Sequence, residues 1–141
     1  VSYLLDTNVL SELRKPADRA DGAVRSWVAS RTPSDLYLSA VTILEVELGI
    51  SRVERRDRAQ AARLRTWLED DVLHVFAGRV LPVDVPVARH AGRSHVPDPR
   101  PERDALIAAT AVVHDLTLVT RNTKDFDRLD VRLIDPWLAD G

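Results

Sequence analysis

The stretch Tyr3-Leu4-Leu5-Asp6-Thr7-Asn8-Val9-Leu10 decides how the rest of the chain is read. Ser2 to Leu5 has the composition of a short buried strand, and Asn8 to Arg14 that of a short helix. Asp6 therefore stands at a strand's carboxyl end with apolar neighbours on both sides. An ionised carboxylate there is costly unless a cation or hydrogen-bond donors compensate it. Asp is also a good helix N-cap, so on the residues alone a capping role and a place in a site both fit Asp6.

The same alternation repeats along the chain. Leu36 to Ser39, Val80 to Val83 and Thr117 to Thr120 read as buried strands, with a weaker fifth at Val131 to Ile134. Helical patterns fill the intervals: Ala23 to Ser30, Ile43 to Val53, Arg58 to Val75, Val87 to His95 and Arg103 to His114. The two central helices are separated by the charged break Glu54 to Asp57. Strands alternating with helices predict an α/β fold, a single domain built on a five-stranded, mostly parallel sheet with helices on both faces. In such a sheet a ligand site is expected beyond the carboxyl ends of the strands. The proline-rich run Pro97-Asp98-Pro99-Arg100-Pro101 is too short for an interdomain linker and reads as a stiff loop before a helix.

With 141 residues, 45% hydrophobic and 30% charged, the chain has ordinary globular usage and enough length for one core without disulfides or a structural zinc. It contains no cysteine, which excludes thiolate catalysis, iron–sulfur clusters and cysteine zinc sites. No apolar run approaches the roughly 20 residues of a membrane span. The first residues lack a basic leader, so a soluble protein with a cytoplasmic location and no membrane partner is expected. Twenty basic against 22 acidic side chains leave a net charge of -2, so any nucleic-acid partner has to be met by local patches. Five glycines form no phosphate-cradling loop, and a nucleotide cofactor has no support.

Three further places carry chemistry. Glu45 follows the second strand by one or two helical turns, and Thr42 and Glu45 have the Thr-x-x-Glu spacing of a capping box. Asp104 opens Asp104-Ala105-Leu106-Ile107-Ala108-Ala109, apolar almost all round and hence a buried helix. The macrodipole alone would favour an acid at its start. In Val119-Thr120-Arg121-Asn122-Thr123-Lys124-Asp125-Phe126, Asn122 or Asp125 is placed to face a metal, and Thr120 to bond a ligating carboxylate. Each acid has a separate structural explanation. Together they fall where a parallel sheet concentrates its site, with no basic residue in matching positions to pair them. Carboxylates so clustered resist ionising unless Mg²⁺ or Mn²⁺ is present, which points to metal-assisted phosphodiester hydrolysis of a nucleic acid.

These pieces resemble the PIN-domain ribonucleases and, within them, the VapC toxins of bacterial VapBC toxin–antitoxin pairs. The matching segments are Leu4 to Leu10, Ser39-Ala40-Val41-Thr42 with Glu45 and Leu48-Gly49, Asp104 to Ala109, and Val119 to Asn122 with Asp125-Phe126. In order, spacing and length they cover essentially the whole chain, so residues 1–141 are expected to form one PIN-like nuclease domain. The resemblance implies a Mg²⁺ or Mn²⁺ site, cleavage of RNA, homodimerisation and inhibition by a VapB-type antitoxin. It assigns catalysis and metal binding to Asp6, Glu45 and Asp104, with Thr7 and Thr120 supporting them. Where many members carry a fourth Asp this chain has Asn122, with Asp125 as the possible substitute.

Arg100, Arg103 and Arg121 flank these acids and are the expected RNA contacts. Six arginines between Ser51 and Arg65 face only Glu54 and Asp57, and fit either phosphate contacts or a solvated helix face. The four histidines show no metal spacing, and the three tryptophans sit in apolar patterns suited to a core or dimer contact. A haloacid-dehalogenase-like phosphatase would need a second Asp at position 8, which is Asn8. A response-regulator receiver would need a lysine at the end of its last strand, and Lys124 lies beyond Asn122. A housekeeping PIN-domain nuclease and a non-catalytic RNA- or protein-binding domain are the remaining alternatives. For an antitoxin, a basic side chain inserted near Asp6, Glu45 and Asp104 is expected, with its helix lying on a groove carrying Leu44, Leu48 and Trp67.

Overall fold

The computed structural model describes residues 1–138. Five strands form one sheet: β1 (Tyr3–Leu5), β2 (Leu36–Ser39), β3 (Val80–Leu81), β4 (Thr117–Val119) and β5 (Leu133–Ile134). Their spatial order is β3-β2-β1-β4-β5, and every neighbouring pair is parallel. The chain runs outward from β1 to β3, then returns to the other side of β1. The crevice between the carboxyl ends of β1 and β4 is thus a switch point, the position at which open α/β sheets bind ligands.

Six α-helices connect the strands: α1 (Thr7–Arg14), α2 (Gly22–Ala29), α3 (Ala40–Glu54), α4 (Arg58–Thr66), α5 (Val85–Ser94) and α6 (Glu102–Val113). Period-2 alternation assigns the sheet's two faces. Leu5, Leu36, Leu38 and Val119 pack with Val9, Val24, Trp27, Val46, Ile50 and Leu68, from α1 to α4 and the segment after α4. Leu4 and Leu118 point the other way, onto Ile107, Ala108 and Ala111 of α6 and onto Phe126. Alanines 105 and 109 of α6 meet Val87 and Ala91 of α5, so small side chains let these two helices approach closely.

The elements occur where the sequence places them, with different limits. The helix expected from Ile43 begins at Ala40, because the Ser39 hydroxyl accepts a hydrogen bond from the Val41 N–H at 3.0 Å and caps it. Strand β3 stops at Leu81, since Pro82 has no N–H to continue the ladder. The expected single helix from Arg58 to Val75 is α-helical to Thr66 and π-helical over Trp67–Leu73. Leu64, Leu68, Val72 and Phe76 recur every four residues. Such a stripe drifts around an α-helix of 3.6 residues per turn, and the wider π turns bring it back to the core. No helix among the described residues is long and apolar enough to cross a membrane.

Leu118 lies on β4 between β1 and β5 and is fully buried. Leu118→Ala is expected to lower unfolding stability by about 2–5 kcal/mol, read as a lower urea midpoint with native far-UV circular dichroism retained.

Candidate active site

Asp6 leaves β1 in extended conformation and caps α1, its Oδ1 accepting from the Thr7 backbone N–H at 2.8 Å. Its Oδ2 accepts from the Thr120 hydroxyl at 2.8 Å and from Asn8 Nδ2 at 3.3 Å. Capping and a place in the crevice are therefore compatible roles, one for each oxygen. Thr120 follows β4 and is itself fully buried. Its oxygen also accepts from Asn8 Nδ2 at 3.1 Å and from the Asn122 N–H at 3.0 Å. Asn8 Oδ1 in turn accepts from the Arg121 N–H at 3.2 Å. One amide side chain thus ties the β1–α1 junction to the exit of β4. The sequence reading gave Asn8 no part in the site; the available signal was an amide in the first turn of a helix that starts at a switch point.

Glu45 stands on α3 facing the same crevice. Its Oε1 accepts from the Thr7 hydroxyl at 2.6 Å, and the hydroxyls of Thr7 and Thr42 are 3.2 Å apart. The capping box expected of Thr42 and Glu45 does not form. With Ser39 as the cap, both residues lie inside the helix and turn toward Thr7. A second expectation is also corrected. The acids do have a basic neighbour, since Arg103 Nη1 lies 3.7 Å from Glu45 Oε2.

Asp104 is in the first turn of α6, half-buried, and Asp125 is in the 3₁₀ turn Thr123–Phe126. Their mutual approach is visible in proton affinity. Burial pushes the Asp104 carboxyl up to about 6, with the charges of Asp125, Asp6 and Glu45 adding to it and Arg103 opposing. Burial likewise raises Asp6 above the ordinary carboxylate value, reinforced by Glu45 and Asp125 and countered by the bonds from Thr120 and Thr7. The charges of Glu45 on α3 and Asp125 in the 3₁₀ turn thus act on both Asp6, at the β1–α1 junction, and Asp104 on α6. Asn122 contributes its backbone N–H to Thr120, and its side chain makes no capping bond to the 3₁₀ turn.

Oxygen donors that resist ionising together suit a hard divalent cation. Among the described residues, no three Asp, Glu or His groups stand close enough together to hold a metal ion between them. The donor set fits an ion such as Mg²⁺, which binds through one or two carboxylates and keeps much of its water.

The expected RNA-facing arginines separate. Arg103 enters the acidic crevice. The Arg121 guanidinium lies over the Trp137 ring, 5.2 Å from its centroid, and only its backbone joins the site. Arg100 lines a neighbouring cavity. Of the six arginines near α4, Arg63 bonds Gln60 and Arg65 pairs with Glu47. Trp27 is buried edge-on to Tyr3. The groove running from Thr7 and Glu45 is walled by Val46, Gly49, Ile50 and Val53 of α3 with Leu64 and Trp67 opposite. Leu44 and Leu48, expected in it, do not line it, because the 3.6-residue period puts them on the opposite face of α3 from Val46, Gly49, Ile50 and Val53, where Leu44 is exposed.

Comparison with known proteins adds a family and close relatives. The PIN domain model matches residues 3–132. "Toxin FitB" of Neisseria gonorrhoeae is 39% identical over 140 residues, covering 95% of this chain and 97% of that protein. "VapC ribonuclease Y4jK" of Sinorhizobium fredii is 37% identical over 139 residues, covering 95% and 96%. The crystal structure of FitAcB from Neisseria gonorrhoeae superposes with a TM-score of 0.87 at 37% identity, covering 96% of this chain and 99% of that one.

The proton affinity of Asp104 has a measurable consequence. Its folded pKa lies above the unfolded value of 3.8, so the native state is favoured by protonation below that value and loses this margin as pH rises through about 6. With EDTA at neutral pH, Asp104→Asn is expected to unfold at higher temperature than the parent chain. The gain is about 1 kcal/mol after allowance for solvent around a half-exposed group. Melting curves should show the gain shrinking as pH falls toward 3.8.

Proposed function

The chain belongs to the PIN-domain family, and from that membership we propose that it is a metal-dependent endoribonuclease, the toxin of a toxin–antitoxin pair, with residues 1–141 acting as one nuclease domain. The observation carrying this reading is the set of four carboxylates, Asp6, Glu45, Asp104 and Asp125, gathered at the carboxyl end of a parallel sheet. The names of the gonococcal toxin and the Sinorhizobium ribonuclease point the same way.

Asp6, Asp104 and Glu45 would hold Mg²⁺ or Mn²⁺, with Asp125 adding charge in the place of the fourth acid and Asn122 holding the adjoining turn. When bound, such an ion supplies an activated water and neutralises charge developing on the scissile phosphate. The protein's own groups do the positioning. Thr120 and Asn8 fix Asp6 Oδ2, and Thr7 fixes Glu45 Oε1, so neither carboxylate must be reoriented when RNA arrives. Arg103 brings a guanidinium to the edge of the cluster, where a phosphate of the RNA would meet it. Arg100 lines the neighbouring cavity, and Arg121 joins the site through its backbone N–H. The reading includes a homodimer in the cytoplasm, regulated by a small antitoxin.

The groove on α3 supports a seat for the antitoxin. It begins at Glu45, is apolar along Val46, Ile50 and Val53, and has Arg14 on its rim. An amphipathic helix fits it, with a basic side chain reaching Glu45 and Asp6.

Asp6→Asn and Glu45→Gln are each expected to lower cleavage of a quenched fluorescent RNA in Mg²⁺ or Mn²⁺ by more than about a hundredfold, with melting temperature preserved. Retained cleavage in both would remove the metal assignment. Gly49 tests the groove separately, because a Cβ there meets no atom within 4 Å. Gly49→Arg should leave cleavage intact and abolish co-purification with the product of the adjacent upstream gene. Co-purification undiminished by the arginine would place the partner elsewhere.

A further inference from the structure

Beside the carboxylate cluster, and separate from it, a cavity of about 280 Å³ opens between α5, α6 and the turn after the 3₁₀ segment. Its floor is apolar: Ala105, Ala108, Ala109 and Leu129, with Val112 at one side. Three alanines on one face of α6 give it depth. Its rim is cationic, with Arg93 and His90 from α5, Arg100 from the proline-rich loop and Arg128 from the turn, against the single acid Asp130. Among the described residues none of these three guanidinium groups makes a salt bridge. Arg100 Nε is buried with no hydrogen-bond partner. A buried donor left unpaired costs free energy, so this rim is built to receive acceptors that the chain does not supply.

We propose that this cavity is a nucleotide subsite for single-stranded RNA, holding an unstacked base on the alanine floor and its flanking phosphates on Arg93, Arg100 and Arg128. The proposal rests on the ribonuclease reading above and extends it to where the strand lies. A bare anion would use the rim and leave the apolar floor wet, whereas a nucleotide uses both. Guanidinium planes stack on bases as well as bonding phosphates, so a lining whose aromatic ring is the His90 imidazole can still hold a base. Continuity with the site follows from the helix. Ala105 on the floor directly succeeds Asp104, and Arg100 stands in the loop four residues before it. A strand seated in the cavity is thereby led past Arg103 to the acids.

The test measures binding of a fluorescein-labelled single-stranded RNA by anisotropy across a KCl series, in an Asp6→Asn background that suppresses cleavage. The paired substitution Arg93→Gln/Arg128→Gln should weaken binding and make the plot of log affinity against log salt shallower by about 1.4, two phosphate contacts at about 0.7 each. The charge-matched control Arg19→Gln/Arg25→Gln, on exposed positions away from the cavity, should leave the slope unchanged. Equal slopes for both pairs, in a chain that binds and cleaves RNA, would overturn the subsite and leave the ribonuclease reading standing. Loss of a dimer on light scattering with the slope unaltered would instead make this face a contact between copies. A parent chain that neither binds nor cleaves RNA in Mg²⁺ or Mn²⁺ would overturn both.

Discussion

A carboxylate at the end of a buried central strand has to be held by something, and the architecture around β1 is arranged to hold Asp6. Removing that group from water raises its proton affinity, and the neighbouring acids raise it further. What opposes this is a small set of donors: the Thr7 N–H, the Thr120 hydroxyl and the Asn8 amide. Two of the three come from residues directly after Asp6, and the third comes from the end of β4. The backbone of Asn122 and that of Arg121 then lock Thr120 and Asn8 in turn. A single buried oxygen therefore fixes the relative position of two chain segments more than a hundred residues apart.

The topology supplies the remaining acids. Because β1 is central, the helices that follow β2 and precede β4 both begin at the same end of the sheet, on opposite faces. Glu45 arrives from one and Asp104 from the other. The alternation of Leu4 and Leu5 divides the two cores, and the same alternation sets which helix reaches which side of Asp6. Packing and chemistry are thus linked by the pleat. A change that slipped the register of β1 by one residue would exchange the cores and carry Asp6 out of the crevice.

Much of this was readable from the sequence because the signals were local. Apolar runs bounded by acids gave the strands, and counting put Asp6 at a strand end, Glu45 in the first turns of the helix after β2 and Asp104 at the start of a buried helix. The errors arose where a longer-range partner overrode a local rule. Thr42 and Glu45 have capping-box spacing, yet Ser39 already occupies the cap and Thr7, far away in sequence, takes Glu45. Arg103 looked like a flank to Asp104 but pairs with Glu45, a contact that exists only once α3 and α6 sit on opposite faces. Asn8 escaped notice because its role is to bridge two segments, and no spacing within either segment reveals it.

The charge layout bears on the proposed nucleic-acid substrate. A net charge of -2 gives no long-range attraction for RNA, and the carboxylate cluster taken alone repels phosphate. Attraction has to be short-ranged and placed beside the acids. Arg103 at Glu45, and in the proposed reading the guanidinium rim of the α5–α6 cavity, supply it. Screening at physiological salt acts over about 8 Å, so charges this close to one another remain effective while more distant ones fade. On the proposed reading, the phosphate backbone would be drawn to the rim rather than to the protein as a whole. A divalent cation on the acids would complete the site by reversing the local sign where the scissile phosphate must sit.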